Sequence, residues 1–272
     1  MVMGVSALVG MPFQENPITG EEVEQCLGYS MWTDISKDIY KNWIYKKTGM
    51  VNNENEDEND DQDQIDNENL IPEGVMCTET FLHADEMGRI INGAEVVPNS
   101  WNWYAYFGGC GGTILSREWI VTAAHCDFIQ KGSDVYLGYH DNQQTENLQT
   151  VKVLEVISHK GYNPQNPKYP DSSSNDIALV RVEPITFDGK TVNPACIQKD
   201  IEMFEGKRCF VGGMGILEST DEIDPWTGQP GGIETDSVQS TSVVIGGGAC
   251  GEVNLSGLES LLCAGDNNNQ VN

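Results

Sequence analysis

Residues 111–123 read GGTILSREWIVTA, two short apolar runs containing Val, Ile, Thr and Trp, the residue types that favour strands. Comparable runs lie further along the chain: VYLGY at 135–139, VKVLEVIS at 151–158, IALVRV at 177–182 and TSVVI at 241–245. Gly-, Pro-, Asn- and Asp-rich pieces separate them. Many short strands broken by turns predict an all-β barrel or sandwich from about Leu70 onward.

Upstream the composition changes twice. Residues 52–69 read NNENEDENDDQDQIDNEN, in which half the residues are acidic and only Ile65 is apolar. Such a stretch cannot bury enough surface to offset the entropy of ordering it, so a disordered tether is expected. Calcium binding there is the weaker reading, because the EF-hand spacing and its central Gly are absent. Before the tether, Trp32, Ile35, Ile39 and Trp43 recur at spacings of three and four. That pattern predicts one face of a short amphipathic helix packed on something larger, with Lys46 and Lys47 near its C-terminus. Val2 to Phe13 is apolar with small residues, but no Lys or Arg precedes it. It reads either as a signal-peptide core or as an ordinary apolar start.

The chain has 272 residues, 39% of them hydrophobic and 8% aromatic, enough for one large domain or a domain with an appendage. With 15 Lys and Arg against 42 Asp and Glu the formal net charge is −27. Such a surface repels phosphate backbones and anionic membranes, so neither nucleic acid nor a membrane is an expected partner. No apolar run approaches the length needed to span a bilayer. There are eight cysteines and no CxxC pair, which argues against a zinc ribbon or a thioredoxin-like site. Scattered, even-numbered cysteines point to disulfides and an oxidising compartment, so a secreted protein is expected.

The chemistry concentrates around His125, in WIVTAAHC, and Asp176, in SNDIALVRV. Cys110 lies upstream in GGCGGTIL, residues 89–93 read RIING, and VVPNSWNWYAYF follows shortly after. Taken together, from about Cys77 onward, these motifs closely resemble the trypsin/chymotrypsin family of serine proteases. The resemblance implies two antiparallel six-stranded barrels with the active site in the cleft between them, the second barrel incomplete in these residues. Imidazole titrates near neutral pH, so His125 can take a proton and return it within one cycle. Asp176 follows a polar loop and begins an apolar run. A carboxylate there can accept the N–H of His125, fix its tautomer and stabilise the imidazolium, roles that come with the family's triad. His83, His140 and His159 read as ordinary surface or core histidines.

Further expectations rest on the same resemblance. Arg89–Ile90 is the activation cleavage site of a zymogen, to be cut by a trypsin-like activating protease. Disulfides are implied for Cys77–Cys196, which would tether the pro-region, and for Cys110–Cys126 and Cys250–Cys263. Cys209 lacks its family partner among these residues, and Cys26 has no family counterpart. The implied organisation is an N-terminal extension at 1–50, an acidic linker at 51–70, an activation segment at 71–89 and a protease domain at 90–272.

The sequence also departs from the family. After LLCAG the family continues to a Gly-Asp-Ser-Gly-Gly-Pro motif carrying the nucleophile, whereas here residues 266–272 read DNNNQVN. Ser219, Ser237, Ser240 and Ser256 do not stand in a GDSGG context. The expectation is that the gene continues through that motif with a cysteine partner for Cys209, and that residues 1–272 alone are inert. Met214 in GGMG stands where the family usually has Trp. In LGYHDNQQTENLQT, Tyr139 and Gln149 occupy the outer carboxylate positions of the family's calcium loop and leave only Glu146, so no calcium is expected. No cofactor and no metal are expected, and the expected substrates are proteins or peptides. The alternative is a non-catalytic protease homologue with a binding or regulatory role.

Overall fold

The structure, a computed structural model, describes residues 29–33, 38–50, 94–143, 148–163, 175–195, 206, 208–214, 216–223, 230–246 and 261–265. In chain order the elements are β1 (Tyr29–Thr33), α1 (Asp38–Thr48), β2 (Ala94–Glu95), β3 (Tyr104–Tyr106), β4 (Gly111–Ile114), β5 (Trp119–Thr122) and β6 (Asp134–Leu137). They continue with β7 (Gln149–Ser158), β8 (Ala178–Val182), β9 (Arg208–Gly213), β10 (Ile216–Ile223), β11 (Pro230–Glu234), β12 (Gln239–Ile245) and β13 (Leu261–Gly265). The fold is all-β, with one described helix.

Strands β3-β4-β5-β8-β7-β6 close into an antiparallel barrel, sealed where β3 pairs with β6. Its interior is filled by Ala105, Ile114, Ile120, Val135, Leu137, Val153, Val180 and Val182. All four residues of WIVT are buried because β5 is covered on both faces. Ile120 points into the barrel, while Trp119 and Val121 join a second cluster outside it with Trp101, Trp103, Leu115, Ile177 and Leu179. Strand β7 instead has one wet face: Val151 and Val153 are buried and Lys152 is exposed, the period-two pattern of a half-buried strand.

The second half is more open. Strands β1-β13-β12-β2 form a sheet with β9 also paired to β12, and β10 and β11 form a separate two-stranded sheet. Among the described residues this half does not close into a second barrel. The halves are joined by backbone bonds from Val238 N to His140 O at 2.7 Å and from Ala195 N to Ile114 O at 2.9 Å. They also interlock through Gly212, where any Cβ would sit 2.6 Å from the Trp101 ring. Buried His140 bonds Glu95 of β2 at 2.9 Å, a structural histidine as read from the sequence.

Helix α1 packs on the outer cluster through Tyr40 and Ile44, and Lys41 and Thr48 are buried as well. It ends at Gly49, whose N–H bonds Tyr45 O at 3.0 Å and whose φ of 70° suits a residue without Cβ, the usual helix stop. Lys46 and Lys47 lie in its last turn. The buried face differs from the one predicted. Trp32 lies in β1 rather than in a helix, because residues 29–33 pair with β13. The helix turns Tyr40 and Ile44 inward, and Trp43 is only partly buried. Ile35 and the acidic linker lie outside the described residues.

Candidate active site

The pairing of β5 with β8 builds the site. Thr122 at the end of β5 stands opposite Ala178 at the start of β8. Prolonging both strands past this pair brings His125, in the turn after β5, against Asp176, just before β8. The sequence separation of 51 residues is thereby reduced to contact. His125 Nδ1 lies 2.7 Å from Asp176 Oδ2, and the His125 backbone N–H donates to Asp176 Oδ1 at 2.8 Å. The carboxylate grips both the ring and its backbone.

That grip fixes the ring's tautomer. An ionised carboxylate only accepts hydrogen bonds, so the proton sits on Nδ1 and the lone pair on Nε2. The His125 side chain is 32% exposed and that of Asp176 19%, so the imidazole can meet a solute while the carboxylate is largely covered.

The turn that presents the ring is stapled. Cys126 is buried and forms a disulfide with Cys110, which precedes β4. Thr122 Oγ1 donates to Gly111 O at 2.7 Å, a second tie between the same two segments. Among the described residues Cys110, His125 and Cys126 form one close group of metal-ligand types. Its two sulfurs are consumed in the disulfide, and a metal ligand would have to be a thiolate.

Asp176 is held from the other side as well. Ile177 N donates to Asn175 O at 2.8 Å, so Asp176 is the central residue of a tight i to i+2 turn. Asn175 has φ of 62°, a left-handed conformation that Asn tolerates better than most residues. Its Nδ2 donates to Gly161 O at 3.3 Å and its Oδ1 accepts from Tyr40 Oη at 3.0 Å. The Tyr40 contact had no signal in the sequence. It joins residues 135 positions apart, and spacing patterns speak only to near neighbours.

The remaining site residues are distributed as follows. Cys209 lies in β9, opposite Val243. Cys263 in β13 is buried and disulfide-bonded, with its partner outside the described side chains. Cys26, Cys77, Arg89, Ile90, Cys196 and Cys250 lie outside the described residues. Met214 follows β9 and packs against the outer cluster with Tyr139. Tyr139, at an outer position of the loop compared with the family's calcium loop, stacks on Tyr106 at 4.6 Å. Its hydroxyl is pushed up to about 12 by burial, then by Tyr106, Asp141 and Asp236.

Comparison with known proteins finds the trypsin family model matching residues 90–271. Cathepsin G of Mus musculus is 32% identical over 156 residues, which are 54% of this chain and 57% of cathepsin G. Coagulation factor IX of Cavia porcellus is 32% identical over 162 residues, 57% of this chain and 54% of factor IX. The chain thus spans about half the length of the curated relatives it matches. Among solved structures, neuropsin, a serine protease expressed in the limbic system of mouse brain, covers 56% of this chain and 63% of its own. Its sequence identity is 27% and the TM-score 0.43.

Proposed function

Because the chain belongs to the trypsin family of serine proteases, we propose that it is part of a serine endopeptidase zymogen in which His125 is the general base and Asp176 its orienter. The observation that carries this reading is the 2.7 Å contact from His125 Nδ1 to Asp176 Oδ2. With Nδ1–H committed to the carboxylate, Nε2 is free to take a proton from a serine hydroxyl as it attacks a peptide carbonyl. It then returns that proton to the departing amine. Asp176 stabilises the imidazolium between those two moments without itself being protonated. The nucleophilic serine is not found in its family motif within residues 1–272, so the test uses the full-length protein that the gene encodes.

Activation after Arg89 is part of the same proposal. Its support is that the family match begins at Ile90, the residue whose amine such a cut would release. The Cys77–Cys196 link would keep the two pieces together. Secretion is supported by the Cys110–Cys126 disulfide, since disulfides persist in oxidising compartments. No described helix is long and apolar enough to cross a membrane. Substrates would be proteins or peptides, and the activator a trypsin-like protease.

The deciding experiment cleaves the full-length protein after Arg89 and treats it with a serine-reactive fluorophosphonate probe and broad peptide substrates. Labelling and turnover that vanish in His125→Ala are expected. A full-length protein that binds no probe and turns over no substrate would overturn the peptidase reading.

A further inference from the structure

Residues 29–50 stand apart from the family match, which begins at Ile90, and residues 51–93 separate them from β2. An appended segment of this kind would ordinarily lie on the surface. Here it is built into both halves of the fold. Strand β1 lies along β13 over five consecutive pairs, from Tyr29 opposite Gly265 to Thr33 opposite Leu261. Helix α1 buries Tyr40 and Ile44 completely, at 0% exposure each, in the cluster that holds Trp101, Trp103 and Leu179. Full burial of two large side chains is the signature of a core element.

The helix also reaches the catalytic dyad. Tyr40 Oη donates to Asn175 Oδ1 at 3.0 Å. Asn175 is clamped at both ends of its amide, by Tyr40 and by Gly161 O, and precedes the turn that points Asp176 at His125. His159, hydrogen-bonded through its backbone N–H to Ile177 O at 2.9 Å, sits edge-on to Tyr40 and Trp43 with ring centres 5.5 and 5.1 Å away. The residue before Asp176 and the turn after β7 are therefore both in contact with α1.

We propose that the β1–α1 unit is a tethered positioning module of the protease fold: docked on the β13 edge and the outer core, it sets Asp176 for His125 through Tyr40 and Asn175. Tyr40 touches neither substrate nor reacting atoms, so it is a positioning residue. Among the described residues the module is held by non-covalent contacts, and residues 51–93 connect it to β2 in the chain. The inference rests on the proposed roles of His125 and Asp176, but its test does not depend on turnover.

The test follows the Nδ1–H proton of His125 by NMR in the full-length protein, assigned by its loss in His125→Ala. Tyr40→Phe removes only the hydroxyl, and Ile44→Val trims the same helix without touching Asn175. Tyr40→Phe should speed solvent exchange of that proton about tenfold, the worth of one ordinary hydrogen bond. Ile44→Val should leave the exchange rate unchanged, although both variants lower the melting temperature. Equal acceleration in both variants, or in neither, would reduce α1 to packing and overturn the proposal. A second arm places a site-specific protease sequence within residues 52–69 in a Cys26→Ser background. After cutting, the N-terminal piece should co-elute with the rest and the proton should persist. Separation of the piece with the proton unchanged would also overturn the proposal. An intact proton in a protein that hydrolyses nothing would instead count against the peptidase reading alone.

Discussion

The barrel and the open sheet use strands of similar length but recruit them from different distances. All six barrel strands come from residues 104–182, and four of its six pairings join consecutive strands. The sheet gathers β1, β2, β9, β12 and β13 from residues 29 to 265. Closure leaves the barrel no free edge, whereas a sheet assembled from distant pieces must find partners for each edge separately. The lesson concerns the site. The β5–β8 register brings His125 and Asp176 into contact, so the pair is built on the compact half. Helix α1, outside both sheets, adds a contact to Asn175, the residue before Asp176.

The sharpest break between the halves is expected in activity. Asp176→Asn in the full-length enzyme should lower kcat/KM by about 10⁴-fold, because an amide can hold the wrong imidazole tautomer. The barrel should remain folded, which circular dichroism would check. A loss below tenfold would separate Asp176 from the chemistry.

Next in size are core truncations. Leu179→Ala in β8 should cost about 2–5 kcal/mol, as expected for a fully buried Leu. Val243→Ala in β12 removes less buried surface and should cost about 1–2 kcal/mol. Denaturant melts give the totals, and amide exchange gives the distribution. Val243→Ala should loosen the sheet amides while those of β5 and β8 stay protected. Joint loosening would mean that the two halves unfold as one unit.

A smaller effect is expected from acid. Burial, with help from Lys160, holds His159 below the ordinary histidine range, and Gly161 N–H donates to its Nδ1 at 3.2 Å. The fold therefore prefers the neutral ring, while the unfolded chain takes up a proton near pH 6.5. The contribution of His159 to stability is present above that pH and is lost as pH falls from about 6.5 toward its lowered folded value. Docking of α1 should weaken over that window, read from Trp43 fluorescence. His159→Gln should flatten the profile.

The smallest effect concerns the barrel's exit loop. Asp188 accepts bonds from the backbone N–H groups of Lys190, Thr191 and Val192 at 2.7–3.0 Å and from the Thr191 hydroxyl. Burial is the largest single influence and raises its carboxyl, but these bonds together outweigh it and hold the group at about 2. Its stabilisation is present above the unfolded value near 3.9 and lost as pH falls toward about 2. Since the carboxylate is exposed and screened, Asp188→Asn should cost only about 0.5 kcal/mol. The cost should shrink in acid melts.

How much was legible follows the same division. The runs at 111–115, 119–123, 135–139, 151–158 and 177–182 each became a barrel strand, because short apolar runs flanked by turns carry their own signal. His125 and Asp176 were legible through the motifs around them, and the β5–β8 register brings those motifs together. The role of residues 29–50 was not legible. A spacing of three and four is satisfied by Trp32 and Trp43 whether or not one helix holds both, and pairing with β13 decided for a strand at Trp32. Strand β3 within WNWYAYF is not legible either, since Tyr104, Ala105 and Tyr106 show no apolar–polar alternation.

The pairing of β1 with β13 has a consequence for the order of events during synthesis. Residues 29–33 leave the ribosome long before residues 261–265, and at about 5–20 residues per second the interval is roughly 10–50 s. Through that time a nascent strand has no neighbour, and an eleven-residue helix is too short to hold its shape alone in water. The barrel is complete at Val182, so the growing chain has a surface for α1 well before it has an edge for β1. The cell must therefore keep the earliest described piece of this protein unspent until the last described strand arrives. A chaperone bound to residues 29–50 on stalled ribosomes would be the trace of that wait.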